Sequence, residues 1–108
     1  MEMQLHPEPF NKIKNRIKNI ELRLYDEKRQ LLKVGQDIIF TNRESCEKMT
    51  CKITGLYWFE DFGALVENLG WKKCGWTESP KDPDADMANY YPKEDIKNYG
   101  ALGIVLQR

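Results

Sequence analysis

Histidine is nearly absent from this 108-residue chain: His6 is the only one. Cysteine is also scarce. Cys46, Cys51 and Cys74 are odd in number and form no CxxC pair, so a four-ligand zinc site would have to recruit carboxylates. The expected state is three reduced thiols. The same scarcity argues against a Cys–His nucleophilic pair, and a Ser–His–Asp triad could be built only around His6, with no nucleophile-elbow sequence to support it. Neither a metal nor a cofactor is therefore expected. Long apolar runs are missing too: none approaches the ~20 residues needed to span a bilayer. Met1 to Gln4 has neither a basic n-region nor an apolar h-region. The expectation is a cytoplasmic protein with no membrane partner.

Net charge is the last thing lacking, with 17 basic against 17 acidic residues. Bulk charge alone thus predicts no nucleic-acid partner, but its distribution is uneven. Between Asn11 and Lys33 lie eight basic residues and three acids; between Glu78 and Asp95 lie six acids and two lysines. The first third offers an anion-binding surface, with the later acidic stretch as its screen or as solvated loop. The plain alternative is that the basic residues only solubilise an exposed helix.

What is present fits one domain over residues 1–108, with 41% hydrophobic and 31% charged residues. An initial strand is plausible over Met3 to Leu5. Pro7 and Pro9 suit a first helical turn, followed by Phe10, Ile13 and Ile17 at helical spacing and an end near Asn15 to Lys18, where Asn can adopt the left-handed cap. Residues 19–25 alternate, placing Ile20, Leu22 and Leu24 on a buried face and Glu21, Arg23 and Tyr25 on a polar one. Asp26 caps a short helix through Leu32. DIIFTN and MTCKITGLYWF read as strands joined by the polar RESCEK loop. A helix from Asp61–Phe62 buries Phe62, Leu65, Val66 and Leu69 and stops at Gly70. The stretch from Trp71 to Asp86 reads as a long loop, then one or two short helices with Pro92 at the start of the second and Gly100 at its end, then the strand ALGIVLQR. Trp58, Phe59, Phe62 and Ile104 are assigned to the core, and one of Trp71 and Trp76 to covering a cleft. The fold class is α+β, with a mainly antiparallel, barrel-like sheet and short flanking helices.

The blocks LHPEPFNKIKNRIKNIELRLYDEKR, VGQDIIF, ITGLYWFEDFGALV and YYPKEDIKNYGALGIVL resemble, in order and over nearly the whole chain, the ASCH domain of the PUA-like superfamily, as found in small bacterial ASCH domain-containing proteins. Its most specific parts are K-x-x-E-x-R, here Lys18, Glu21 and Arg23, and the closing Tyr91, Glu94, Tyr99 and Gly100. The resemblance implies a compact β-barrel with a cleft that receives RNA or a nucleotide. Some similar members hydrolyse the acetyl amide of N4-acetylcytidine, using a lysine, a threonine and a more distant glutamate. The lysine corresponds to Lys18, but the threonine position is Glu21, so that chemistry does not carry over as it stands. The glycine common two residues before the lysine is Arg16, and a Gly-Asp pair before the second strand is Gly35–Gln36; neither change threatens the fold.

Read as chemistry, Lys18 at a helix end and Glu21 and Arg23 on one strand face converge on a shared cleft. Arg23 brings a planar fork suited to phosphate and Lys18 a mobile point charge. Glu21 would accept hydrogen bonds from a base or ribose, or pair with Lys18 or Arg23; desolvation and the neighbouring cations push its pKa in opposite directions. Tyr25, Tyr90 or Tyr91 would stack on a base, worth ~1–3 kcal/mol. The competing structural reading is a Glu21–Arg23 ion pair plugging the open end of a barrel. These residues suit three functions. The first is an RNA- or nucleotide-binding cleft lined by Lys18, Glu21, Arg23, Tyr25, Lys28, Arg29 and Tyr91. The second is an amidohydrolase on an acylated nucleoside, in which Glu21 activates water and Lys18 holds the oxyanion. The third is a domain whose basic first third docks an acidic protein partner.

Overall fold

A computed structural model describes residues 1–108. Five strands, β1 (Glu2–Leu5), β2 (Ile20–Leu24), β3 (Asp37–Asn42), β4 (Lys48–Phe59) and β5 (Ala101–Gln107), form one sheet in the order β1-β3-β4-β5-β2. Neighbours are antiparallel except β1 and β3, which run parallel. The sheet is a curled half-barrel, in keeping with the α+β class, and no backbone ladder joins its two edge strands. A side chain spans the gap instead: Arg23 on β2 donates from Nη2 to the carbonyl of Gln4 on β1 at 3.1 Å.

The strand pattern follows from alternation. In β4, Met49, Cys51 and Ile53 are buried while Thr50, Lys52 and Thr54 are exposed, and a β-bulge between Ile53 and Gly55 shifts the register against β5. Inside the curl, Met3, Phe40, Met49, Ile53, Leu102 and Ile104 belong to one core. On the outer face, Ile20, Leu22 and Leu24 join a second core with residues of the helices. β5 is covered on both sides. A Cβ on its Gly103 would lie 2.7 Å from Cδ1 of Leu69, so the absence of a side chain there is what lets the helix sit this close.

Helix α1 (Pro7–Lys14) starts on Pro7 and buries Phe10 and Ile13. It ends one turn before Ile17. Arg16, not an asparagine, takes the left-handed conformation at φ 63°, and the amides of Ile17 and Lys18 both donate to the carbonyl of Lys12. Ile17 is thereby thrown off the helix face and is 62% exposed. Asp26 accepts from the Arg29 amide, but the helix expected through Leu32 is only a 3₁₀ turn over Arg29–Leu31, and its N-cap position is Lys28, which makes no side-chain cap bond. Helix α2 (Phe62–Leu69) is capped by Asp61, which accepts from the Ala64 amide.

The stretch read as a long loop holds two short helices, α3 (Trp71–Cys74) and α4 (Pro83–Met87). Each is too short to show periodicity, and α4 is marked only by its Asp82 cap and Pro83. Asp84 of α4 accepts from the Phe62 and Gly63 amides at 2.8 and 3.0 Å, fastening the segment to the start of α2. Helix α5 (Lys93–Tyr99) leads into β5. Phe62 and Ile104 are fully buried, but Trp58 is 55% exposed; it is held at the surface by a hydrogen bond from Nε1 to the Tyr99 carbonyl. No helix is long and apolar enough to cross a membrane.

Candidate functional site

The turn at Arg16 delivers Lys18 to the start of β2, where strand geometry sets Glu21 and Arg23 on one side. The three form a triad in which Lys18 and Glu21 are buried and Arg23 is part-buried. Lys18 Nζ lies 3.0 Å from Glu21 Oε1, while Arg23 Nε and Nη2 donate to Oε2 at 3.2 and 3.1 Å. Glu21 is 5% exposed and Lys18 9%. Burial alone would raise the Glu21 carboxyl, but the charges and hydrogen bonds of Lys18 and Arg23 outweigh it and hold the pKa below the ordinary value.

Lys18 is covered by the chain after α3. Gly75 passes over its aliphatic stem at φ +105°, where a Cβ would lie 2.8 Å from Lys18 Cδ. Lys12, paired with Glu8, donates to the Gly75 carbonyl at 2.8 Å, and the Asn19 amide donates to the Lys73 carbonyl at 3.0 Å. These bonds fix the cover to α1 and β2.

Beside the triad opens a cavity of about 600 Å³, within the range of small-molecule sites, between the start of α1, β2 and the segments around Trp76 and Tyr90. Lys18, Glu21 and Arg23 line it together with Tyr91, whose ring stacks on Phe62 at a centroid distance of 6.0 Å. Burial raises the Tyr91 phenol, so it is neutral near pH 7. Trp76 is oriented by a hydrogen bond from Nε1 to Asp86 at 3.0 Å. The rings of His6 and Tyr90 lie 6.3 Å apart, and Arg43 Nη1 is 3.4 Å from His6 Nε2. Arg43 is exposed and pairs with no carboxylate.

Tyr25, Lys28 and Arg29 do not line this cavity. Tyr25 packs against the inner core, Arg29 pairs with Asp26 at 3.0 Å, and Lys28 and Arg29 line a different opening. Conversely, sequence reasoning passed over Arg43, counted Lys12 only among the basic residues of the first third, and considered His6 only as a metal or triad residue. Arg43 sits in the polar stretch read as a hairpin loop, and nothing local in the sequence links it to His6, 37 positions away.

Both Glu21 oxygens are engaged by cations and its pKa is low, which makes it a weak general base. Cys74 lines the cavity, but burial pushes its thiol up to about 11, leaving it protonated and unreactive. No three His, Cys, Asp or Glu side chains cluster as a metal site would need.

A family model for the ASCH domain matches residues 3–106. The chain belongs to the ASCH domain family. This ASCH domain resembles the crystal structure of hypothetical protein PH0355, with 31% identity, a TM-score of 0.87, and 98% of this chain and 95% of that one covered. It also resembles the solution structure of protein PF0455 from Pyrococcus furiosus, at 25% identity and a TM-score of 0.73 over 99% and 96% of the two chains. A mutant of ZmASCH from Zymomonas mobilis shares the fold at 13% identity and a TM-score of 0.62, with 99% of this chain and 66% of that one covered. No curated protein matches the chain.

Proposed function

We propose that this ASCH domain binds RNA or a nucleotide in the cavity beside the Lys18–Glu21–Arg23 triad and does not hydrolyse what it binds. The observation that carries the reading is the pairing of a cationic floor with an aromatic rim. Tyr90, Tyr91 and Trp76 line the cavity, where an aromatic ring can stack on a base, and Arg43, which pairs with no carboxylate, lines it with a fork suited to a phosphate. The fully engaged Glu21 favours binding over amide hydrolysis.

Fluorescence anisotropy with short single-stranded RNA across a salt series tests the reading. Affinity should fall as salt rises, because phosphate contacts release counterions. Tyr90→Ala should cost about 1–3 kcal/mol through lost stacking. Affinity indifferent to salt and to Arg43→Ala would refute the binding site, and release of cytidine from N4-acetylcytidine above background would refute its non-catalytic character.

A further inference from the structure

A second cavity, of about 630 Å³, opens on the other side of the gap between β1 and β2. Four cationic side chains line it, Arg23, Lys28, Arg29 and Lys48, against a single acid, Glu2. Lys48 meets Glu2 only at 3.7 Å with both side chains largely exposed, an ion pair of little strength. Lys28 pairs with no acid of the chain. Arg29 is held from behind by Asp26, and its Nε–H is buried without an acceptor among the protein's atoms. Arg23 and Arg29 are paired with Glu21 and Asp26, so the charge left without a close acid is that of Lys28 and, in large part, Lys48; a buried donor without an acceptor, such as Arg29 Nε, is rare in folded proteins.

Arg23 and Gln4 line both cavities. The hydrogen bond between them, which spans the edge strands, is therefore also the partition between the two openings. Lys28, Arg29 and Lys48 line the second cavity with Arg23, so a phosphate chain that continued past Arg23 would meet them.

We infer that the second cavity is a phosphate subsite for the nucleotide adjoining the one held beside the triad, so that the ligand is a single-stranded oligonucleotide rather than a lone nucleotide. This rests on the proposed reading of the first cavity. The exposed, lightly paired Lys28 and Lys48 supply the charge that neutralises the backbone, and Arg23 serves both subsites.

Calorimetric titration of the full chain with the four nucleoside monophosphates and with single-stranded RNA hexamers tests this, using the wild type and the Lys28→Ala/Lys48→Ala variant. Both lysines are exposed, so the variant folds. The expected result is that the hexamer binds more tightly than any monophosphate. The variant should lose that advantage while keeping its monophosphate affinity, and its salt slope for the hexamer should fall by about 0.7 per lysine removed. Monophosphate and hexamer binding equally well to the wild type, the variant binding the hexamer as the wild type does, or an equal loss for both ligands would each overturn the second subsite alone. Absence of binding by either ligand would overturn the first cavity's reading with it.

Discussion

The two faces of β2 are both buried, yet by opposite means. Toward the helices, Ile20, Leu22 and Leu24 lie opposite Val105, Gly103 and Ala101 of β5 and join the core of Phe62, Leu65 and Ile96. On the other side, Glu21 and Arg23 lie opposite Ile104 and Leu102, with Lys18 completing a closed set of charges. The first face stabilises the fold through apolar burial. The second at best breaks even, because three desolvated charges must recover from one another what water gave them. A domain does not need such a triad to fold, and its place on a cavity wall suits the recognition proposed for it.

The largest effect that would break this contrast is removal of one charge. Glu21→Gln leaves the buried Lys18 and the part-buried Arg23 without a counter-ion and should destabilise the domain by about 3 kcal/mol in denaturant unfolding at pH 7. Because the folded pKa of Glu21 lies below its ordinary value of 4.5, the ionised carboxylate's contribution is fully present above that value and is lost as pH falls toward the folded one. The stability gap between wild type and Glu21→Gln should therefore be constant near neutrality and narrow below pH 4.5; a gap that widens in acid would contradict the pairing.

On the apolar face, Leu24→Ala should cost about 3 kcal/mol by leaving a cavity, while the protein that remains folded keeps its RNA affinity. Gly75→Ala forces a side chain into the left-handed region and onto the stem of Lys18; about 2 kcal/mol of destabilisation should come with weaker RNA binding. Asp84→Ala removes acceptors from the first turn of α2 and unfastens α4, whose Asp86 orients Trp76; it should cost about 1 kcal/mol in thermal or chemical unfolding and weaken RNA binding less than Gly75→Ala does.

Much of this architecture was legible in the chain because it is written in local patterns: the alternation in β2, β3 and β4, the Asp61 cap, and the Lys18–Glu21–Arg23 spacing. Where the reading failed, tertiary contacts decided. Ile17 follows Ile13 at helical spacing, but the turn at Arg16 redirects the chain first. Trp58 reads as core by composition, yet its indole is held outside by the Tyr99 carbonyl. The alternation of β2 shows which residues share a side but not that helices would cover the apolar side and the half-barrel the charged one. Tyr25 shares the side of Glu21 and Arg23 and packs into the inner core instead of the cavity. Arg43 and His6 join the mouth only because β1 pairs with β3, a contact between segments far apart in sequence.

If the triad is kept for a ligand and not for stability, replacing it with apolar groups should separate the two. The triple variant Lys18→Met, Glu21→Leu, Arg23→Met does this, with unfolding free energy and single-stranded RNA affinity measured on the same preparation. Stability should be at or above that of the wild type, since packed apolar groups replace a buried charge set without penalty, and RNA binding should be lost. A variant destabilised as much as Glu21→Gln, yet binding RNA as the wild type does, would contradict a triad kept for its ligand.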